Sequence, residues 1–376
     1  MRKKICFVLT AELAVKAFLL NHLQSLSDVY EVTVIVNTNN LNFLAEQGIH
    51  ANVIALPIAR NISVFSDSIS LINLITIFHR EKFSAVHSVT PKAGLLAMLA
   101  AWFARVPLRI HTFTGQVWVT KKGAKRGLLK QIDRLVALLS THNIIDSPSQ
   151  RQFLLDEKVL PLAKAIVFAK GSISGVNIAR FKPNPKVRVD IRRQLNITNE
   201  AIVFLFIGRL TKDKGVLDLA QAFNALNVEH AYLLLVGPDE QNMQNEIRCL
   251  TKSCSANVFF VGQTNMPESY MAAADVLCLP SYREGFGSVV IEAAAVGIPA
   301  IASRIYGLTD AVVHEDTGLL HEPHDVSLIY TCMKIMLADQ TLRMKLGENA
   351  RARAIKDFDS SLVTSEWVKF YKENLD

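Results

Sequence analysis

Short apolar runs alternate with longer stretches of helical period along nearly the whole chain. In the first half the apolar runs fall at 5–9, 32–36, 52–56, 85–89, 109–113, 143–146 and 165–168. Helical stretches at 14–27, 68–80, 92–105 and 125–140 lie between them. A second series starts near Ala201, with strands expected at 202–207, 231–236, 258–261, 274–280 and 299–302. Its helices are expected at 216–226, 242–253, 267–273, 326–337 and 340–356. Runs this short and this apolar suit parallel strands covered on both faces. The alternation predicts the α/β class, with a doubly wound sheet in each half. Between the halves, 171–193 is rich in glycine, proline and charge and reads as a linker. Two Rossmann-like domains facing across a cleft follow, with ligands expected at the carboxyl ends of the strands. The boundaries expected are 1–175, with a C-terminal helix at about 360–376 packing back on it, and 176–359.

A length of 376 residues suits two domains, and half the residues are hydrophobic. Mean hydropathy is +0.23, yet the apolar run 93–104 stops at Arg105, short of a membrane span. The start, Met1 to Leu9, has the charge of a signal peptide but too short an apolar run, so it reads as a first strand. Five scattered cysteines make no disulfide framework and no zinc site, which points to a reducing, cytoplasmic setting. A net charge of +7 favours anionic partners.

The chemistry concentrates at 280–299. A strand end leads into Glu284-Gly285-Phe286-Gly287-Ser288, then a helix carrying Glu292 and ending at Gly297. Amides from Gly285 to Ser288 lie at the helix start, where unpaired N–H groups favour an anion. About 75 residues earlier, Gly208-Arg209-Leu210-Thr211-Lys212-Asp213-Lys214-Gly215 follows another strand. Arg209 as a planar fork and Lys214 as a point charge suit a diphosphate. Each motif alone is weak: one reads as a solvated basic loop, the other as a helix cap with a chance second glutamate.

Together they resemble the family-4 retaining glycosyltransferases of the GT-B fold, which carry E-x7-E after a G-R-x4-K-G loop. The linker, Gly171 to Val176 and on to Phe181 and Pro183, is similar too. The resemblance implies a UDP-sugar donor. Arg209, Lys214 and Glu284 would be catalytic, and Glu292 would accept from the ribose hydroxyls. Gly208, Gly285, Phe286, Gly287 and Ser288 would complete the nucleotide-sugar site. It also implies retention by front-face attack, with the leaving phosphate helping to deprotonate the acceptor. No metal or other cofactor is expected, and the literal Asp-x-Asp at Asp357 and Asp359 lies past the second sheet, at a helix end near the C-terminus.

The first half would bind the acceptor. Its 87–94 and 109–118 blocks resemble the branch that extends undecaprenyl-diphosphate-linked sugars in bacterial O-antigen, capsule or N-glycan assembly. Lys92, His111, Thr114, Gly115 and Glu12 are the candidate acceptor residues. Thr114 stands where that family has a histidine, and His111, three residues earlier on the strand, reads more readily as a structural strand histidine. Lys121, Lys122, Lys125, Arg126 and Lys130 lie beside Trp118, Leu128 and Leu129 and suit an anionic membrane surface. Peripheral association with the inner face of the plasma membrane is expected. The donor sugar expected is GalNAc or GlcNAc. Two other classes stay open: a sugar-nucleotide 2-epimerase of the same architecture, and a non-catalytic nucleotide-binding module. Nucleic acid is not an expected partner, because no aromatic platform accompanies the basic cluster.

Overall fold

The structure, a computed structural model, describes residues 2–58 and 63–376. Met1, expected at the start of the first strand, lies outside the described residues. The chain divides into two compact units, Met1–Gly175 with Ser360–Asp376, and Val176–Asp359.

The first unit runs β1 (Lys4–Val8), α1 (Glu12–Phe18), α2 (Leu20–Ser27), β2 (Glu31–Val36), β3 (Asn52–Ala55), α3 (Val64–Glu81) and β4 (Ala85–Val89). It continues with α4 (Pro91–Phe103), β5 (Leu108–Phe113), α5 (Gly123–Leu139), β6 (His142–Ile145), α6 (Pro148–Asp156) and β7 (Ala165–Ile166). Its seven strands pair in parallel in the order β3-β2-β1-β4-β5-β6-β7. The order reverses between β1 and β4, the switch point where such sheets open a crevice.

The second unit runs α7 (Pro185–Gln194), β8 (Ile202–Ile207), α8 (Val216–Leu226), β9 (Ala231–Val236), α9 (Met243–Leu250), β10 (Val258–Gly262) and α10 (Pro267–Ala273). It continues with β11 (Val276–Leu279), α11 (Ser288–Val296), β12 (Ala300–Ser303), α12 (Leu308–Ala311), β13 (Gly318–His321), α13 (Val326–Ala338) and α14 (Gln340–Phe358). Its six parallel strands lie in the order β10-β9-β8-β11-β12-β13, and the switch point falls between β8 and β11.

The last helix, α15 (Ser360–Leu375), belongs to the first unit. Trp367 is fully buried between two imidazoles, 4.4 Å from the His22 ring and 4.8 Å from the His87 ring. His87 bonds Tyr371 Oη at 2.8 Å and Thr112 Oγ1 at 2.7 Å, so the histidine is satisfied within the core. Burial holds His22 down at about 4 and pushes His87 well below its usual range.

The linker expected over 171–193 is corrected. Its second half is α7, started by Pro185 with the Asn184 side chain as cap. Arg192 of this helix is buried, donating to the carbonyls of Ala201 and Ala273 at 2.9 Å each and to Asp275 at 2.7 Å. Charge there serves as an anchor under β8 and β11, not as solvation. The helix expected at 14–27 breaks at Leu19, whose ψ of −12° departs from helical geometry. The 242–253 stretch is shorter, ending as α9 at Leu250 before a 3-10 segment from Lys252 to Asn257.

Candidate functional site

Strands β8 and β11 are neighbours, so the loops that follow them lie side by side. Gly215 makes this approach feasible: its φ is +67°, and a Cβ there would sit 2.0 Å from the Pro280 carbonyl oxygen. The Tyr282 amide donates to the Asp213 carbonyl at 2.9 Å. Lys214 Nζ lies 2.5 Å from Glu284 Oε1, which also accepts from Ser281 Oγ at 2.8 Å. The two motifs found at a distance in the sequence therefore meet in one constellation.

Arg209 is half-exposed and pairs with Glu240 at 2.7 Å. Glu240 stands in the turn after β9, the strand on the other side of β8. Both cations thus face carboxylates before any ligand arrives. Sequence reading missed Glu240; the signal was an acidic pair, Asp239-Glu240, directly after a strand and a Gly-Pro turn.

Gly287 has a φ of +84° and starts α11 without a side-chain cap. A Cβ at Gly287 would lie 2.5 Å from a Leu308 methyl, so the turn admits no larger residue. Ser288 is the first helical residue; Gly285 to Gly287 form the turn ahead of it. The Phe286 side chain is buried, with its ring 5.2 Å from Phe358. Only its backbone is available to a ligand.

Glu292 lies one turn into α11 and is only partly accessible. Its carboxylate makes no hydrogen bond or ion pair among the described residues. Burial raises its pKa to about 7, with Arg180 pulling it down and Glu268 pushing it up. It is a partly accessible acceptor with no protein partner among the described residues, open to a ligand.

The first unit treats its candidates differently. Glu12 starts α1, pairs with Lys16 at 2.6 Å and accepts from Thr38 Oγ1 at 2.9 Å. The Lys16 and Thr38 hydrogen bonds hold its carboxyl below the usual range against burial. Lys92 starts α4 and pairs with Asp67 of α3 at 2.6 Å. His111 is buried inside the sheet layer, with Nδ1 2.8 Å from Ser88 Oγ. Thr114 and Gly115 follow β5, and the Thr114 carbonyl accepts from Gln150 Nε2 at 3.3 Å. Glu12, Lys92, Thr114 and Gly115 share the carboxyl edge of the sheet; His111 does not reach it. Thr90, ahead of α4, has a φ of +78°, an outlier for a β-branched residue, and sequence reading did not single it out as a site residue.

The basic cluster is divided. Arg126 and Lys130 both bind Glu157 and stack over Trp118 at 5.2 and 5.7 Å. The Trp118 ring expected beside the cluster is buried and donates to Asp133 at 2.8 Å, so it offers no stacking platform. Lys121, Lys122 and Lys125 are exposed, with no ion pair among the described residues. Of the Asp-x-Asp residues, Asp357 lies 3.8 Å from Arg353, and Asp359 forms a backbone bridge with Val176. Among the described residues no group of three His, Cys, Asp or Glu side chains is placed to hold a metal.

Residues 187–353 match the family described as "Glycosyl transferases group 1", and residues 19–171 match the "Glycosyl transferase 4-like domain". A capsular polysaccharide biosynthesis glycosyltransferase, CapM of Staphylococcus aureus, is 32% identical over 84% of this chain and 83% of its own length. The chain belongs to the group 1, family-4-like glycosyltransferases. The Escherichia coli UDP-Gal:α-D-GlcNAc-diphosphoundecaprenol α-1,3-galactosyltransferase is 26% identical over 80% of this chain and 78% of its own. Among solved structures, a sucrose-phosphate synthase from Thermosynechococcus elongatus superposes with a TM-score of 0.83 at 22% identity, covering 99% of each chain. That likeness shows the GT-B fold. The family models and the Staphylococcus aureus relative, not the shared fold, set this glycosyltransferase apart from the epimerase and the non-catalytic module. No helix among its described residues is long and apolar enough to cross a membrane.

Proposed function

We propose that this glycosyltransferase moves a hexosamine, GalNAc or GlcNAc, from a UDP-sugar to an undecaprenyl-diphosphate-linked sugar, with retention of configuration. The Val176–Asp359 unit binds the nucleotide sugar and the Met1–Gly175 unit binds the acceptor. The observation that carries the reading is the meeting of Lys214 and Glu284, with the unpaired Glu292 carboxylate one helical turn beyond.

The chemistry follows from charge. As the glycosidic bond to UDP breaks, negative charge grows on the leaving phosphate. Lys214 and Arg209 exchange their glutamate partners for that phosphate, and the uncapped start of α11 adds N–H donors. Glu284, released from Lys214 on one oxygen, accepts from a donor-sugar hydroxyl, and Glu292 accepts from the ribose. Front-face departure and attack need no enzymic nucleophile, since the phosphate oxygen takes the acceptor proton. The two cations supply the countercharge, so the reaction needs no metal.

The acceptor class rests on the Escherichia coli relative, whose acceptor is a diphosphoundecaprenol-linked GlcNAc. That relative uses UDP-Gal, so a hexosamine donor is the point most in need of test. Membrane attachment at the cytoplasmic face is supported by Lys121, Lys122 and Lys125, and by Val64, Phe65 and Leu128 at 80%, 79% and 65% exposure. All six lie on or beside the first turns of α3 and α5.

One assay tests the whole reading. UDP release is followed with UDP-GalNAc, UDP-GlcNAc, UDP-Gal and UDP-Glc, using an undecaprenyl-diphosphate-sugar in anionic liposomes and a short-chain soluble analogue. A hexosamine donor should be preferred, the rate should survive EDTA, and the liposomal acceptor should outrun the soluble one. Preference for UDP-Gal would move the donor to the class of the Escherichia coli relative. No turnover with any lipid-diphosphate acceptor would remove the acceptor class.

A further inference from the structure

We infer that Asp213 and Arg283 form a positioning clamp that sets the spacing of Lys214 and Glu284, and that Arg283 is not itself a diphosphate ligand. The inference builds on the donor-site reading above. Arg283 is a cation beside the glycine turn and invites assignment as a third phosphate contact. Its geometry points elsewhere: Nη2 donates to Asp213 Oδ2 at 2.8 Å.

Asp213 faces both loops. Its Oδ1 accepts from Thr211 Oγ1 at 2.7 Å within its own loop. Its carbonyl accepts the Tyr282 amide at 2.9 Å, and its Oδ2 accepts Arg283. Burial alone would raise its pKa, but the hydrogen bonds from Thr211 and Arg283 outweigh that and hold it below the usual range. The carboxylate is therefore charged wherever the enzyme works.

The pairing is in register. Asp213 precedes Lys214 in one loop, and Arg283 precedes Glu284 in the other. Asp213–Arg283 and Lys214–Glu284 are consecutive rungs between two backbones. A second tie runs below them: Tyr282 Oη donates to Asp218 of α8 at 2.8 Å, and its ring lies 3.6 Å from that of His324. Lys214 must leave Glu284 to meet a phosphate, so its loop needs a support that does not change when the donor binds. The Asp213–Arg283 rung supplies it. A catalytic group held by such supporting contacts keeps its geometry through the reaction, and small misplacements act on the rate.

The test is a double-mutant cycle on the full chain with Asp213→Asn, Arg283→Gln and the pair combined, with Lys214→Ala measured alongside. Each single change should lower kcat about tenfold, and the double should fall no further than the worse single. Donor KM should move less than about threefold, because the clamp touches no donor atom. Arg283→Lys keeps the charge without the fork and should recover part of the rate. If Asp213→Asn does not accumulate, Asp213→Glu serves in its place with an intermediate loss. A double mutant near the product of the singles, about a hundredfold down, would show Arg283 acting on the donor and overturn the clamp. Unchanged kcat in both singles would overturn it too. Should Lys214→Ala also leave kcat unchanged, the donor-site reading fails and the clamp with it; a loss confined to Lys214→Ala removes the clamp alone.

Discussion

In the second unit, the loops after β8 and β11 bring Lys214 within ion-pair distance of Glu284, and Asp213 within ion-pair distance of Arg283. In the first unit, no ion pair joins Glu12, Lys92 and Thr114, which follow β1, β4 and β5, to one another among the described residues. Each of those is bound to its own neighbour: Lys16, Asp67 and Gln150. The sheets share one plan and one kind of switch point. A diphosphate is small and always the same, so fixed charges at fixed spacing serve it. An acceptor is larger and differs between enzymes, and the candidate residues proposed for it lie at helix starts and loops whose contacts also stabilise the unit. Charge placement is thus informative about chemistry in one unit and largely about folding in the other.

The sharpest way to break this comparison is to remove one lysine from each unit. Lys214→Ala should lower kcat roughly a hundredfold to a thousandfold, the range for losing one preorganised donor at a developing oxyanion. Lys92→Ala strands Asp67, a neighbour only 19% exposed at its side chain, and should act chiefly on stability and acceptor KM. Steady-state kinetics with saturating donor and a melting curve separate the two. Equal losses of kcat would mean that the first unit carries transition-state charge as well.

Glu292 sharpens the comparison through pH. Its pKa of about 7 stands above the 4.5 of an unperturbed glutamate, so the folded state holds the proton longer than the unfolded one. Wild-type stability should therefore decline as pH rises from 4.5 through 7, and Glu292→Gln should melt higher than wild type at pH 8. The gap should close towards pH 4.5. Donor binding should move the opposite way. The ionised carboxylate is the better ribose acceptor, so Glu292→Gln should bind UDP about tenfold more weakly at pH 8. At pH 6 the wild-type group is largely protonated and the difference should shrink. Calorimetric UDP titrations at the two pH values decide it. An affinity gap independent of pH would remove the ribose assignment.

Much of this was legible in sequence because the decisive residues lie within single loops. Glu284 and Glu292 flank one turn, and Arg209 and Lys214 sit in another, so their spacing marked them as candidates and the family resemblance supplied their roles. Glu240 and the Asp213–Arg283 rung depend on β8 lying between β9 and β11, a neighbourhood that chain order does not reveal. The same holds for α7, where Pro and charge suggested a linker until Asp275 supplied the buried Arg192 with a partner. Strand β13, Gly318–His321, escaped notice because four residues after a polar turn carry no period. His111 illustrates the reverse hazard: a residue type suited to catalysis, near a family motif, with no path to solvent.

His111 should give the smallest catalytic effect, and it tests whether the first unit's chemistry-bearing residues are structural. Burial pushes the imidazole down to about 3, with the Ser88 contact pulling weakly upward, so the ring is neutral at any working pH. It also fills the space over Gly94, where a Cβ would lie 2.4 Å from its Cε1. Replacing it with Ala removes that packing and leaves Ser88 without its partner, a loss of about 1–3 kcal/mol of stability. The pH sign follows from the depressed pKa. The unfolded histidine takes up a proton near 6.5 and the folded one does not, so wild type loses this contribution as pH falls from 6.5 towards 3. The stability gap to His111→Ala should therefore be widest above pH 7 and narrow on acidification. Over the same range kcat of the variant should stay within about threefold of wild type, since a neutral ring away from the carboxyl edge exchanges no proton with substrate. A tenfold loss of kcat with an unchanged melting temperature would place His111 in the chemistry, and would show that the first unit hides a catalytic group beneath its structural ones.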